Sequence, residues 1–477
     1  MVPSTHFIRS VALAVLACAA AVPGVAGAQE LPTFADLAEG WNVMKPGGET
    51  ICAHGTEYVF HVRPGTPERA LIYLYGGGAC WDAEGCEAGS DLYTDSIRPD
   101  RHDPRRLHGV LALDRADNPF RDYTLVAIPV CTGDVHLGAR DTGYRLEAED
   151  GSVTEFTIRH RGQVNVMSAV AWLQRNLRGP SEIFVAGSSA GSLAVPFYSD
   201  LLARAYPATR VTGLGDDAGS YSVAGFDAAV WGLPDALRRH AGWEDFPAQP
   251  AVTDLFITAG TGPSNLRLYQ FDHAYDDVQR SFLERADVAA PDVAGLIAAN
   301  RAAIRHAVPS FRGYTSGGFR HVVLVAPTFY QYATGGVRLV DWVADLAAGE
   351  DVGDVECGAC ERPEVRYEPE DLRIAERALE LAGRPGAWDP RDVGGACRPG
   401  GERFTLRCLM SQASRDVMGP RPFTSPVGWD VIYSASARLG HMRNARAILE
   451  FNNRPGTTVE DVIALLEEVR DRIRAAQ

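Results

Sequence analysis

Between residues 58 and 271, short apolar runs alternate with stretches whose apolar positions recur every three to four residues. Segments 58–62, 70–75, 123–129, 182–186 and 266–271 are short, apolar and rich in β-branched or aromatic side chains, as buried strands are. A further strand is expected near 311–314. Val166, Val170, Leu173 and Leu177 fall at intervals of four, three and four, a helix stopped by Gly179-Pro180. Segments 193–205 and 339–346 read as further helices. This alternation predicts an α/β fold, a mostly parallel sheet flanked by helices. After Cys357-Gly-Ala-Cys360-Glu-Arg-Pro363 the pattern turns helical without strands. Leu372, Ala375, Leu379 and Ala382 form one stripe. Thr457 and Glu460 read as a capping box for a last helix carrying Val459, Val462, Leu466, Val469 and Ile473 on one side. The expected organisation is a leader over 1–28, an α/β domain over 29–361 and a smaller all-helical domain over 362–477. A chain ending near 362 is accordingly expected to fold.

Two loops between these elements carry chemistry. Gly187-Ser188-Ser189-Ala190-Gly191 joins a predicted strand directly to a predicted helix. A serine on so sharp a turn needs small residues two positions to either side, and the turn exposes its hydroxyl above the sheet. Ser189 is therefore the candidate nucleophile. Upstream, Gly76-Gly77-Gly78-Ala79-Cys80-Trp81 follows another strand, where glycines let backbone N–H groups approach a substrate oxygen. The N–H of Ala190, next to the nucleophile, is the second expected donor. A serine nucleophile also needs a base and a group that orients it. Of the histidines after Ser189, His321 follows a Gly-rich loop at 316–320, the best position for a base. Asp272, Asp276 and Asp277 cluster at the end of a predicted strand, and position alone does not choose among them. Asp216 and Asp217 are weaker candidates.

Composition narrows the setting. Arg9, the apolar stretch 11–22 and Ala26-Gly27-Ala28 read as a secretory signal cleaved before Gln29, which implies an extracellular, periplasmic or cell-surface protein. A lipoprotein cleaved at Cys18 is the weaker alternative. No later stretch reaches the roughly 20 apolar residues of a membrane span. Outside the leader eight cysteines remain, an even number suited to disulfides. Cys80–Cys86 is a spacing for a local bridge, Cys52 and Cys131 both lie near strand ends, and Cys357–Cys360 and Cys397–Cys408 complete the set. A net charge of −15 argues against nucleic acid or anionic membrane as a partner.

The motifs, in their order and spacing, resemble those of the pectin acetylesterase/Notum family of α/β-hydrolase-like carboxylesterases. The resemblance covers roughly residues 40–350. It rests on Gly76-Gly77-Gly78-Ala-Cys80-Trp81, Pro129-Val-Cys131-Thr-Gly-Asp134, Gly187-Ser-Ser189-Ala-Gly191, Asp217-Ala-Gly219, Tyr275-Asp276-Asp-Val-Gln279 and Gly318-Phe-Arg-His321. It implies a triad of Ser189, Asp276 and His321, with oxyanion donors at Gly77, Gly78 and Ala190. Trp81, Asp134 and His136 are candidates for substrate binding. The implied activity is hydrolysis of carboxylic esters through an acyl-Ser189 intermediate, with O-acetyl groups on a polysaccharide as the simplest substrate and neither metal nor organic cofactor. Ser192 and Val278 depart from the family pattern, so substrate identity carries over poorly. The alternatives are a lipase or polyester hydrolase acting on longer acyl chains, and a secreted non-catalytic binding protein on the same scaffold. In the tail, Trp429, Asn452 and Asn453 are expected in core and turn roles.

Overall fold

The computed structural model describes residues 30–148, 150–221, 227–419, 425–440 and 446–477. The predicted leader, with Cys18, lies outside the described residues. An eight-stranded sheet organises the first two thirds of the chain: β1 Asn42–Met44, β2 Phe60–Arg63, β3 Thr66–Leu74, β4 Tyr123–Ile128, β5 Glu182–Ser188, β6 Arg210–Asp216, β7 Leu266–His273 and β8 Arg312–Ser316. Their spatial order is β1-β2-β4-β3-β5-β6-β7-β8, parallel from β4 onward and antiparallel at the β1–β2–β4 edge. Every residue of β5 is buried, because helices cover both faces of the sheet. One face packs on Gly162–Asn176, Ala190–Ala205, Val252–Gly260 and the end of Val293–Ala307. The other packs on Leu339–Ala348 and the loops around 107–125 and 323–332.

The sheet delivers all the candidate groups to one rim. The glycine loop follows β3, Ser189 follows β5, Asp217 follows β6, Asp276 follows β7 and His321 follows β8. In open parallel sheets this carboxyl end of the strands is where ligands bind.

Four disulfides form: Cys52–Cys131, Cys80–Cys86, Cys357–Cys360 and Cys397–Cys408. Beyond residue 368 the helices Pro369–Ala382, Leu406–Met418, Pro426–Leu439, Ala447–Asn453 and Val459–Ala476 enclose a third core. Three readings shift here. The buried stripe of the first helix is Ile374, Ala375, Ala378, Leu381 and Ala382, while Leu372 and Leu379 are only partly buried. The cap of the last helix is one residue later than expected: Thr458 and Asp461 make the reciprocal bonds. Strands also continue past 362, since Glu364–Val365 pairs with Tyr332–Thr334. Among the described residues no helix is long and apolar enough to cross a membrane.

Candidate active site

Ser189 sits in a left-handed conformation, φ +55°, between β5 and the helix Ala190–Ala205. The flanking glycines are steric necessities. A Cβ at Gly187 would lie 2.4 Å from the Gly191 carbonyl oxygen, and one at Gly191 would lie 2.1 Å from that of Leu74. Ser192, where the family usually has glycine, fits because Gly215 on β6 leaves it room: a Cβ there would stand 2.4 Å from the Ser192 hydroxyl. The strained turn is tied down by the Ser189 N–H, which donates to the Asp216 carbonyl at 2.7 Å.

His321 donates from Nδ1 to Asp276 Oδ2 at 2.6 Å. Asp276 is fully buried and caps the helix Asp277–Arg285, accepting from the N–H groups of Val278 and Gln279 at 2.8 and 3.0 Å and from Gln279 Nε2 at 3.0 Å. The other two carboxylates of the cluster face elsewhere. Asp272 is bound by Arg301 at 2.7 Å and by the Gly219 N–H at 2.8 Å, and Asp277 pairs with Arg280. His321 Nε2 is buried without a partner, so the Ser189 hydroxyl is not yet within hydrogen-bonding reach. Apo sites commonly tighten only when substrate binds. Burial pulls the His321 pKa down, but the charge of Asp276, the hydrogen bond to it and the nearby Asp217 and Asp216 outweigh this and raise it to about 9.

Sequence reasoning undervalued one pair. The fully buried Asp217, itself at φ +56°, accepts from the His273 N–H at 2.6 Å, from His273 Nδ1 at 2.7 Å and from the Val322 N–H at 2.7 Å. Asp216 takes the N–H groups of Val323 and Leu324 and the Ser188 hydroxyl. The two carboxylates thus grip the loop just after His321 and hold Val322 at φ +58°, a conformation that a β-branched residue avoids. Burial, then the charges of Asp276 and Asp216, push the Asp217 pKa up, and burial holds His273 down at about 4. An aspartate able to adopt positive φ directly after a strand was the available signal. Ligand atoms of Asp217, Asp276 and His321 lie within 4.8 Å of one another. N–H groups engage both carboxylates.

Two cavities meet at Gly78, Ser189 and Phe282. One, with about 730 Å³ of empty space counting its mouth, is walled by apolar residues including Val135, Leu137, Leu193, Trp231 and Leu255. The other is a polar groove that holds His321 and the Gly76–Gly78 loop and runs past Asp91, Asp95, Arg98 and Arg101. Val278 lines this groove. Gly78 has φ +70°, and a Cβ there would lie 1.9 Å from the Leu92 carbonyl oxygen.

The substrate-binding candidates are placed differently. Asp134 is fully buried, accepting from Thr132 Oγ1 at 2.6 Å and from the Gly162 N–H at 2.7 Å. His136 is buried with Nε2 bonded to the Tyr75 carbonyl at 2.8 Å. Asp134 thus ties its own loop to the start of the helix Gly162–Asn176, His136 holds the end of β3 at Tyr75, and both line neither cavity, which corrects their assignment to substrate. Their neighbour Val135 reaches the apolar pocket instead. Trp81 packs on Phe282 at 6.3 Å between ring centroids and so reaches the cavities only through that ring.

The sheet and its strand-to-helix elbow define the class, an α/β-hydrolase-like protein. Residues 43–224 match the family model described as pectinacetylesterase. Among solved structures the chain is similar to that of the Wnt deacylase Notum from Drosophila, with 19% identity, a TM-score of 0.47 and coverage of 65% of this chain and 94% of that one. No curated protein matches the chain.

Proposed function

We propose that the protein is an exported serine esterase that removes acyl groups from a hydroxylated, carbohydrate-like alcohol through an acyl-Ser189 intermediate. One observation carries this reading: an apolar pocket and a groove bearing charged side chains both reach the same strained serine, beside His321. Ser189 Oγ attacks the ester carbonyl and its proton passes to His321 Nε2. Asp276 holds the other ring nitrogen as donor and offsets the imidazolium charge. N–H groups of Gly77, Gly78 and Ala190 receive the oxyanion. When the tetrahedral species collapses, His321 returns the proton to the departing alcohol. Water then enters by the groove, gives a proton to His321 and releases the acid, regenerating Ser189. Four disulfides suit an oxidising compartment, in keeping with the leader.

The family points to acetyl, whereas the apolar lining of the pocket favours a second reading, in which longer acyl chains are the preferred cargo. A series of p-nitrophenyl esters from acetyl to palmitoyl, with acetate release from an O-acetylated polysaccharide alongside, separates the two. A fall in kcat/KM beyond acetyl fixes the deacetylase. A rise of up to about 10-fold per methylene toward octanoyl fixes the longer-chain esterase. Absence of turnover on every member would reject the esterase altogether.

A further inference from the structure

The helical domain lies wholly beyond the family match, which ends at residue 224. Its core nevertheless includes a residue of the loop that carries the base. Phe319, two positions before His321, is 3% exposed and belongs to the same apolar cluster as Ile374, Leu409 and Val431. Its ring meets Tyr433 at 4.6 Å and Trp429 at 6.4 Å, and the Arg320 guanidinium lies 5.0 Å over the Trp429 ring. The backbone of this loop in turn brackets the acid. Gly318 accepts from the Tyr275 N–H at 3.0 Å and Phe319 from the Asp277 N–H at 3.1 Å, the two residues on either side of Asp276. On its outer side the loop has no slack. The Gly318 N–H donates to the Cys360 carbonyl at 2.7 Å, and a Cβ at Gly318 would lie 2.1 Å from the Tyr433 hydroxyl.

We infer that the C-terminal helical domain is a positioning device for the esterase. By seating Phe319 against Trp429 and Tyr433, it fixes the loop whose backbone holds Asp276 on one side and presents His321 on the other. Phe319, Trp429 and Tyr433 are positioning residues: they touch no reacting atom and act through the Asp276–His321 pair. The inference rests on the proposed roles of those two residues. A misplacement of about 1 Å at a reacting group costs as much as 100-fold in rate, which is the leverage such a seat commands.

The test uses the full chain with p-nitrophenyl acetate and four variants: the pair Trp429→Ala/Tyr433→Ala, Tyr433→Phe, Phe319→Leu and His321→Ala. The double variant is expected to lose about 10-fold or more in kcat with KM within about two-fold of the parent. Its pH–kcat midpoint should also move down, because a loosened Asp276 raises the imidazole pKa less. Tyr433→Phe keeps the ring against Phe319 and should retain the parental kcat and midpoint. Cooperative thermal unfolding confirms that each variant is folded. If the double variant does not fold, Phe319→Leu decides by the same kcat loss and midpoint shift. A folded double variant, or Phe319→Leu in its place, with parental kcat and midpoint overturns the inference while an inactive His321→Ala leaves the triad standing. An active His321→Ala removes the triad reading and this inference with it.

Discussion

At the scale of single residues, the site turns on which carboxylate faces the imidazole. Three aspartates within six residues were equivalent by position in sequence, and only the family resemblance singled out Asp276. The geometry gives a physical reason for the difference: Asp272 is bound by Arg301, Asp277 by Arg280, and Asp276 by His321. Ser189→Ala or His321→Ala is expected to lower kcat by roughly a millionfold and Asp276→Ala by about 10⁴-fold, without loss of fold. Asp277→Ala should leave turnover near the parental value. Steady-state kinetics of the four variants check this, and an inactive Asp277→Ala beside an active Asp276→Ala would reverse the assignment. The pKa of His321 makes a second prediction. Its facing charges are Asp276, Asp217 and Asp216, with His273 held neutral by burial, and together they raise it to about 9. Only the neutral ring can take the Ser189 proton, so kcat/KM should climb with pH along a limb centred near 9. The protonated ring also stabilises the fold, an effect complete below the unfolded-state value near 6.5 and lost as pH rises through about 9. A rate limb at or below 6.5 would contradict this account. Asp276→Asn should move the limb to lower pH.

Elements were legible where their pattern is strong, and less so at their ends and in their contacts. The alternation of apolar runs located β2 to β5, β7 and β8 to within a few residues, because buried strands are apolar on both faces, whereas β6 at Arg210–Asp216 went unread. The elbow was readable because sterics demand glycine at 187 and 191. The last helix cap slipped by one, since Thr457 and Thr458 are chemically alike and either offers a box. In the first tail helix Ala375 and Ala382 were read correctly as buried, whereas Leu372 and Leu379 are apolar yet only partly buried. Asp134 ends a family motif and His136 follows it, but sequence does not tell a side chain that faces substrate from one buried in the frame behind the site. The glycine loop after β3 supplies the prediction at this scale. Gly78 occupies positive φ and has the Leu92 carbonyl where a Cβ would go, with Cys80–Cys86 pinning the loop just beyond. Gly78→Ala should displace the oxyanion donors and cost about 100-fold in kcat, with a smaller change in KM. Kinetics with p-nitrophenyl acetate, beside a melting curve to show a folded variant, read this directly. A parental kcat would mean that the loop is not the oxyanion hole.

At the scale of the whole molecule, the chain has two covers on its sheet and a third core that leans on the site. The change of pattern near residue 362 suggests an independent hydrolase. The contacts across that point suggest a dependent one. Glu364–Val365 adds a strand to Tyr332–Thr334, Gln331 Nε2 donates to Asp371 at 2.7 Å, Arg115 pairs with Glu368 at 2.8 Å, and Phe319 sits in the helical core. The ion pair is half exposed and contributes little. The apolar seat matters more: exposing the Phe319 ring alone forfeits about 1.5–3 kcal/mol, and Tyr275 loses its cover with it. A chain ending at residue 362 keeps Cys52–Cys131, Cys80–Cys86 and both sheet cores, so its sheet should still assemble. Its base loop, however, would face water where it now faces aromatic rings. We expect this truncated chain to melt several degrees below the parent and to hydrolyse p-nitrophenyl acetate at least about 10-fold more slowly. Melting temperature and kcat measured on the same preparation distinguish the outcomes. Parental kcat in a soluble, cooperatively folding truncation would establish the α/β domain as self-sufficient and leave the helices without a part in the chemistry.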